Sequence, residues 1–230
     1  MVHFTLFGIP VYIRPSFWVV LAIFDGALSI SSVEDLIYPA LFVIAGFVAI
    51  LSHEMGHALV GRKLGGGQQT IVLELFGGLT SSHGMQLTRG GRALMILAGP
   101  MMTLLLGIIS LWLTWNIVAP VMTSYNLNFW DLAISPFTAA LISPKLYILS
   151  CLIMIGEWWT ILNLLPIYPL DGGQLIAQYI RSPRKVFMTG FITAILIGLL
   201  SFQLFHGYFI PIFMALFAYS NYREYKNAPF

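Results

Sequence analysis

Residues 38 to 64 form one long apolar run that carries, near its far end, the pentapeptide His53-Glu54-Met55-Gly56-His57. An α-helix crosses a bilayer with about 20 apolar residues, so this run is long enough to span. On such a helix the two imidazoles, four residues apart, lie on one face about 40° apart, where both reach one metal ion with Glu54 beside them. Three ionisable side chains at membrane depth are costly to bury without a partner such as a metal. The motif therefore reads as a zinc-hydrolase pattern set into a membrane helix.

Two histidines leave a catalytic zinc one protein ligand short of its usual three plus water. The best-framed third ligand is Asp171, in the stretch NLLPIYPLDGG from Asn163 to Gly173. His83 is nearer in sequence to the motif and reads as a non-ligand, as does His3. One zinc ion per chain is the expected cofactor. Cys151 lies alone in an apolar segment, which excludes a disulfide framework and a cysteine-rich metal site.

The rest of the chain repeats the apolar theme. It is 58% hydrophobic and 9% charged, with a mean hydropathy of +0.86, against about 25% charged residues in a soluble domain. A net charge of +2 is too small to suggest a nucleic-acid partner. The expected fold is an α-helical polytopic membrane protein: about six transmembrane helices, with a short membrane-associated β-hairpin between the second and third. Residues 1–230 read as a single membrane-embedded domain. The spans fall at about 16–30, 38–64, 92–118, 146–165, 186–204 and 207–222.

Between and within the spans, particular residues matter. Residues 1–14 read as a strand pair or an interfacial segment, and Asp25 as an interfacial residue. Residues 68–83, with β-branched residues and the Gly77-Gly78 pair, read as the hairpin. Gly99-Pro100 predicts a kink in the third span. Residues 119–145 read as a loop with partial membrane contact. Glu157 reads as a gate, a proton relay or a hydrogen-bonded carboxylate. Residues from Asp171 to Lys185 predict a short amphipathic helix with a basic end, and His206-Gly207 a turn.

Of the 11 Lys and Arg residues, all but Lys145 fall on one side of this six-span arrangement. The positive-inside rule then places both termini in the cytoplasm. It also brings the HEMGH end of the second span and the Asp171 end of the fourth to a similar depth, on the cytoplasmic side.

With these residues in place, the chain resembles the site-2 protease family of intramembrane zinc metalloproteases. The resemblance rests on HEMGH, on FGG at 76–78, on AGP at 98–100, and on N-x-x-P-x-x-x-L-D-G from Asn163 to Gly172, in order and spacing. It implies zinc on His53, His57 and Asp171, Glu54 as catalytic base, and Asn163 near the scissile carbonyl. It also implies a transmembrane protein substrate, such as a membrane-bound transcription-factor precursor or an anti-sigma factor, and a separate regulatory membrane protein. Phe76, Gly77 and Gly78 belong to the hairpin whose free edge would bind an unwound substrate strand. Thr103 departs from the family, where many members have Asn after the Gly-Pro pair; the departure concerns local helix packing. The absence of an inserted PDZ or appended CBS-type domain suggests a minimal catalytic core.

Two other classes compete. A metal transporter would need ionisable residues spread along a path, and metal flux surviving Asp171→Ala would favour it. A silent relative that binds membrane proteins without cutting would show activity unaffected by Glu54→Gln.

Overall fold

The computed structural model describes residues 1–24, 36–75, 77–120 and 128–229. Asp25 and Phe76 lie outside the described residues. The chain divides into two compact units, Met1–Thr160 and Ile161–Phe230.

In the first unit, β1 (Val2–Leu6) and β2 (Ile9–Ile13) form an antiparallel hairpin. Its two-residue turn, Phe7 and Gly8, has φ of 51° and 75°, the positive values such a turn needs to match strand twist. The N-terminal segment is thus the strand pair of the two alternatives. A helix α1 (Pro15–Phe24) follows, then α2 (Ile37–Gly65), which carries HEMGH. Strands β3 (Gln68–Glu74) and β4 (Gly77–His83) pair antiparallel.

The sequence reading left these two strand pairs separate. They instead form one four-stranded sheet in the order β1-β2-β3-β4, joined by a parallel pairing of Val11, Tyr12 and Ile13 with Ile71, Val72 and Leu73. Parallel pairing across a long connection leaves no turn signature, so only burial can announce it. Ile9, Val11 and Ile13 alternate inward with Ile71 and Leu73. They pack on Phe17 and Leu21 of α1 and on Ile50, Met55 and Ala58 of α2. This core presses the sheet onto the motif helix. At the end of α2, Arg62 Nη1 donates to the Phe7 carbonyl at 2.7 Å, tying the helix to the first hairpin.

Helix α3 (Arg89–Val118) runs through Pro100 as one α-helix. Its buried face is a stripe of small residues, Gly99, Thr103, Gly107, Ser110 and Thr114. Such a stripe lets a neighbouring helix backbone come close. The neighbour is α6 (Pro144–Leu164), where a Cβ on Gly156 would stand 2.9 Å from the Thr103 carbonyl oxygen. Thr103 Oγ1 donates to the Pro100 carbonyl at 2.9 Å and pairs with Thr160 Oγ1 at 2.8 Å. Threonine at 103 is therefore a packing residue, self-satisfied inside the helix pair.

Within the expected loop 119–145, residues 121–127 lie outside the described residues, and the described part is not all loop. Residues 128–140 hold two short helices, α4 (Phe129–Ile134) and α5 (Pro136–Ala140), capped by Asn128 and Ser135. Asn and Ser are preferred N-caps, but segments this short lack the periodicity that would reveal them. Leu132 and Ala139 pack with Val118 and Leu146.

The second unit holds α7 (Asp171–Ala177), α8 (Pro183–Phe205) and α9 (Phe209–Asn227), following the last turn of α6. Helix α7 stops at Ala177, so Arg181, Arg184 and Lys185 lie beyond it rather than on a basic helical end. Ile167, Ala194, Met214 and Ala218 form this unit's core. His206 closes α8 with φ 53°, the turn expected.

Among the described residues, four helices are long and apolar enough to cross a membrane: Ile37–Gly65, Arg89–Val118, Pro144–Leu164 and Pro183–Leu204. Helices of this length and apolar character make the chain an integral membrane protein. The six-span count is not reached among the described residues. Helix α1 is 10 residues long there, and the last turns of α9 carry Arg223, Glu224 and Lys226.

Candidate active site

The site begins with the periodicity of α2. His53 and His57, four residues apart on one helix, are 2% and 8% exposed, and their Nε2 atoms face each other at 3.1 Å. The tautomer of His57 follows from its other nitrogen, which lies 2.8 Å from the Met95 carbonyl of α3. A carbonyl only accepts, so Nδ1 carries the proton and Nε2 presents a lone pair. A backbone carbonyl behind one ring nitrogen is the usual support of a metal-ligating histidine. Two buried imidazole nitrogens converging in this way suit zinc, a borderline-soft ion that favours imidazole. The residues present fit the metal.

Glycines set how closely the neighbours approach. A Cβ on Gly99 would collide with the His57 ring and stand 2.9 Å from His53 Nε2; one on Gly56 would collide with the Ala98 carbonyl. The AGP stretch is thus the floor on which the imidazole pair rests. A Cβ on Gly78 would collide with Cγ of Glu54. Gly77, with φ 119°, sits against the Trp159 ring, whose Cζ2 would be 2.7 Å from an added Cβ. Of the expected substrate-binding stretch, Gly78 therefore serves the close approach of β4 to α2, and Gly77 that of β4 to α6.

Glu54 is 4% exposed. Thr80 Oγ1, on β4, lies 2.7 Å from Glu54 Oε2 and 3.1 Å from the Glu54 backbone carbonyl. This strand-to-helix contact fixes the carboxylate, and sequence reasoning missed it. Thr80 sits two residues past Gly78 on the same strand face, which was the available signal.

Asn163 and Asp171 belong to the second unit, and both are buried. Asn163 lies on the last turn of α6, and Asp171 opens α7. Gly172 and Gly173 let α7 fold back on its own leading segment, since a Cβ on either would collide with the Leu164 or the Ile167 carbonyl. His83 is exposed at the end of β4, and exposed His3 stacks on Tyr12. Glu157 is exposed on α6.

The sequence profile of Peptidase family M50 matches residues 41–205, a range that includes His53, Glu54, His57, Asn163 and Asp171. The chain belongs to Peptidase family M50, the site-2 protease family. This M50 chain is 29% identical over 227 residues to a zinc metalloprotease of Methanocaldococcus jannaschii, covering 94% of the chain and 57% of that protein. It is 28% identical over 188 residues to a candidate zinc metalloprotease of Synechocystis sp., covering 76% and 43%. The chain spans about half the length of these curated relatives. Among solved structures, the Site-2 Protease from Methanocaldococcus jannaschii shares its fold, with a TM-score of 0.60 at 24% identity over 97% of this chain and 94% of that one.

Proposed function

We propose that this M50 chain is a zinc-dependent intramembrane endopeptidase, with His53, His57 and Asp171 holding one zinc ion. The observation that carries the reading is the buried imidazole pair, with Nε2 atoms 3.1 Å apart and the adjacent Glu54 pinned by Thr80. The zinc-metalloprotease names of its relatives and the apolar length of α2 support it. Zinc held there would supply Lewis acidity, polarising the scissile carbonyl and lowering the pKa of the attacking water toward about 7.

The chain's own residues do the rest. Glu54 takes the proton of the attacking water and returns it to the leaving amine. Thr80 donates to one carboxylate oxygen, which leaves the other to accept that proton. Met95, through its carbonyl, holds His57 in the tautomer that coordinates. The Asn163 amide donates to the developing oxyanion.

A transmembrane substrate keeps its peptide bonds inside a helix, so local unwinding must precede cleavage. The edge of β4 would pair with the unwound segment and replace its lost backbone hydrogen bonds. Substrates are membrane-tethered regulatory proteins, such as transcription-factor precursors or anti-sigma factors, and a second membrane protein would regulate access. Both termini face the cytoplasm, and the site opens toward that side of the bilayer.

The test is cleavage of a membrane-tethered reporter by the purified chain, wild type against Glu54→Gln. Both should carry about one zinc per chain, and only the wild type should cut, losing activity to a chelator and regaining it with zinc. Cleavage undiminished in Glu54→Gln would overturn the reading.

A further inference from the structure

The second unit holds a buried amide that neither the motif pattern nor the proposed mechanism uses. Asn221 lies in α9 and is 1% exposed, one turn past Phe217 and Ala218 and just before the charged last turns of the helix. Its Nδ2 donates twice: to the Phe217 carbonyl at 2.9 Å, one turn back in its own helix, and to the Tyr168 carbonyl at 2.6 Å. The first bond would satisfy a polar side chain locally. The second reaches back 53 residues in sequence, to a segment three positions before Asp171.

That segment, residues 165–170, joins α6 to α7 and is held from several sides. Ile167 N donates to the Leu165 carbonyl at 2.7 Å, and Leu170 N to the Ile167 carbonyl at 2.8 Å. Gln174 of α7 reaches back to the Pro169 carbonyl at 2.9 Å. On α8, a Cβ on Gly190 would collide with Asn221 Oδ1 and stand 3.3 Å from Tyr168 N. A glycine there is what lets α8, Asn221 and the segment meet. An apolar residue of similar volume at 221 would fill the space without burying an amide. The amide is therefore explained by what it holds.

We propose that Asn221 is a positioning residue for Asp171: through the Tyr168 carbonyl it fixes the segment that aims the carboxylate. This rests on the reading of Asp171 as a zinc ligand. Asp171 opens a helix of 7 residues, too short to orient itself, so its aim depends on the segment before it. Supports behind a ligand are worth about 10–100-fold in metal affinity, and a loosened segment removes one.

The experiment measures zinc affinity of the detergent-purified chain by competition with a chromogenic chelator, together with the thermal midpoint of the zinc-free protein. Asn221→Leu keeps the volume and removes the donor. It should weaken zinc about 10–100-fold while the zinc-free midpoint holds or rises. Gly190→Ala, which disturbs the same contact from α8, should weaken zinc in the same direction. In an Asp171→Ala background, Asn221→Leu should leave the residual zinc affinity unchanged, because the group it positions is gone. Zinc affinity in Asn221→Leu within twofold of wild type would overturn the proposal, as would an equal further loss in the Asp171→Ala background. Asp171→Ala binding zinc as tightly as wild type would instead sink the ligand reading itself, whatever Asn221 does.

Discussion

The two histidines and the aspartate reach their places by different physics. His53 and His57 ride on a helix of 29 residues, and their spacing alone puts both rings on one side. Their neighbours need only stay out of the way, which Gly99 and Gly56 do. Asp171 opens a helix of 7 residues, after a segment whose backbone is held by α7, α8 and α9. A side chain on a long helix inherits its geometry, whereas one after a loop must be given it by distant contacts. Substitutions should therefore act on the two regions differently.

The largest effect is expected where bulk lands on the histidines themselves. In Gly99→Ala the added methyl enters the His57 ring, and that ring cannot retreat without losing its bond to the Met95 carbonyl at 2.8 Å. Zinc affinity should fall by about 100-fold or more, at the upper end of what ligand supports contribute. Metal analysis after dialysis against a buffered zinc standard reads this directly. Gly173→Ala, in the other region, meets backbone at Ile167. Its first sign should be a lower thermal midpoint of the zinc-free protein. If Gly99→Ala kept its zinc and Gly173→Ala kept its midpoint, the contrast between the two regions would collapse.

A smaller effect separates chemistry from metal binding within the first region. Thr80→Val removes the donor 2.7 Å from Glu54 Oε2 while keeping the shape of the side chain. A hydrogen bond to a charged group contributes about 1.5–3 kcal/mol, so kcat should fall about 10–100-fold. Zinc content should not change, because the Thr80 hydroxyl bonds to Glu54 and not to the imidazoles. Thr80→Ser, which restores a hydroxyl, should recover most of the loss. A drop in bound zinc in Thr80→Val would show that the strand supports the metal as well as the base.

What could be read from the sequence follows the same division. HEMGH and the long apolar runs declare themselves, because helical period and span length are local properties. The four long helices and the hairpin strands 68–74 and 77–83 were legible for that reason. The parallel join of β2 to β3 was not, since it links residues about 60 positions apart with no turn between them. Thr80, Met95 and Asn221 escaped for a related reason. Each acts through hydrogen bonding to a residue far along the chain, and nothing in its neighbourhood marks the partner. The family motif supplied Asp171, yet the residues that hold its segment lie outside that motif.

The smallest effect tests whether the packing of α3 on α6 is as self-contained as the site it supports. Thr103 and Thr160 pair at 2.8 Å, and both also approach the Pro100 carbonyl, at 2.9 and 3.3 Å. Replacing either alone with valine leaves a buried hydroxyl with one partner fewer, at a cost of about 1 kcal/mol. Replacing both removes the polar pair together and keeps the volume, so the double variant should lose less than the sum of the singles. Interaction energies of about 0.5–3 kcal/mol are usual for residues in direct contact. Equilibrium unfolding in mixed micelles measures the cycle. Strict additivity would mean that the two hydroxyls are satisfied independently by Pro100, and that the pair does not set how closely the helices approach. Gly156 and Gly107 would then set that distance by themselves, and Gly156→Ala should cost more than either threonine.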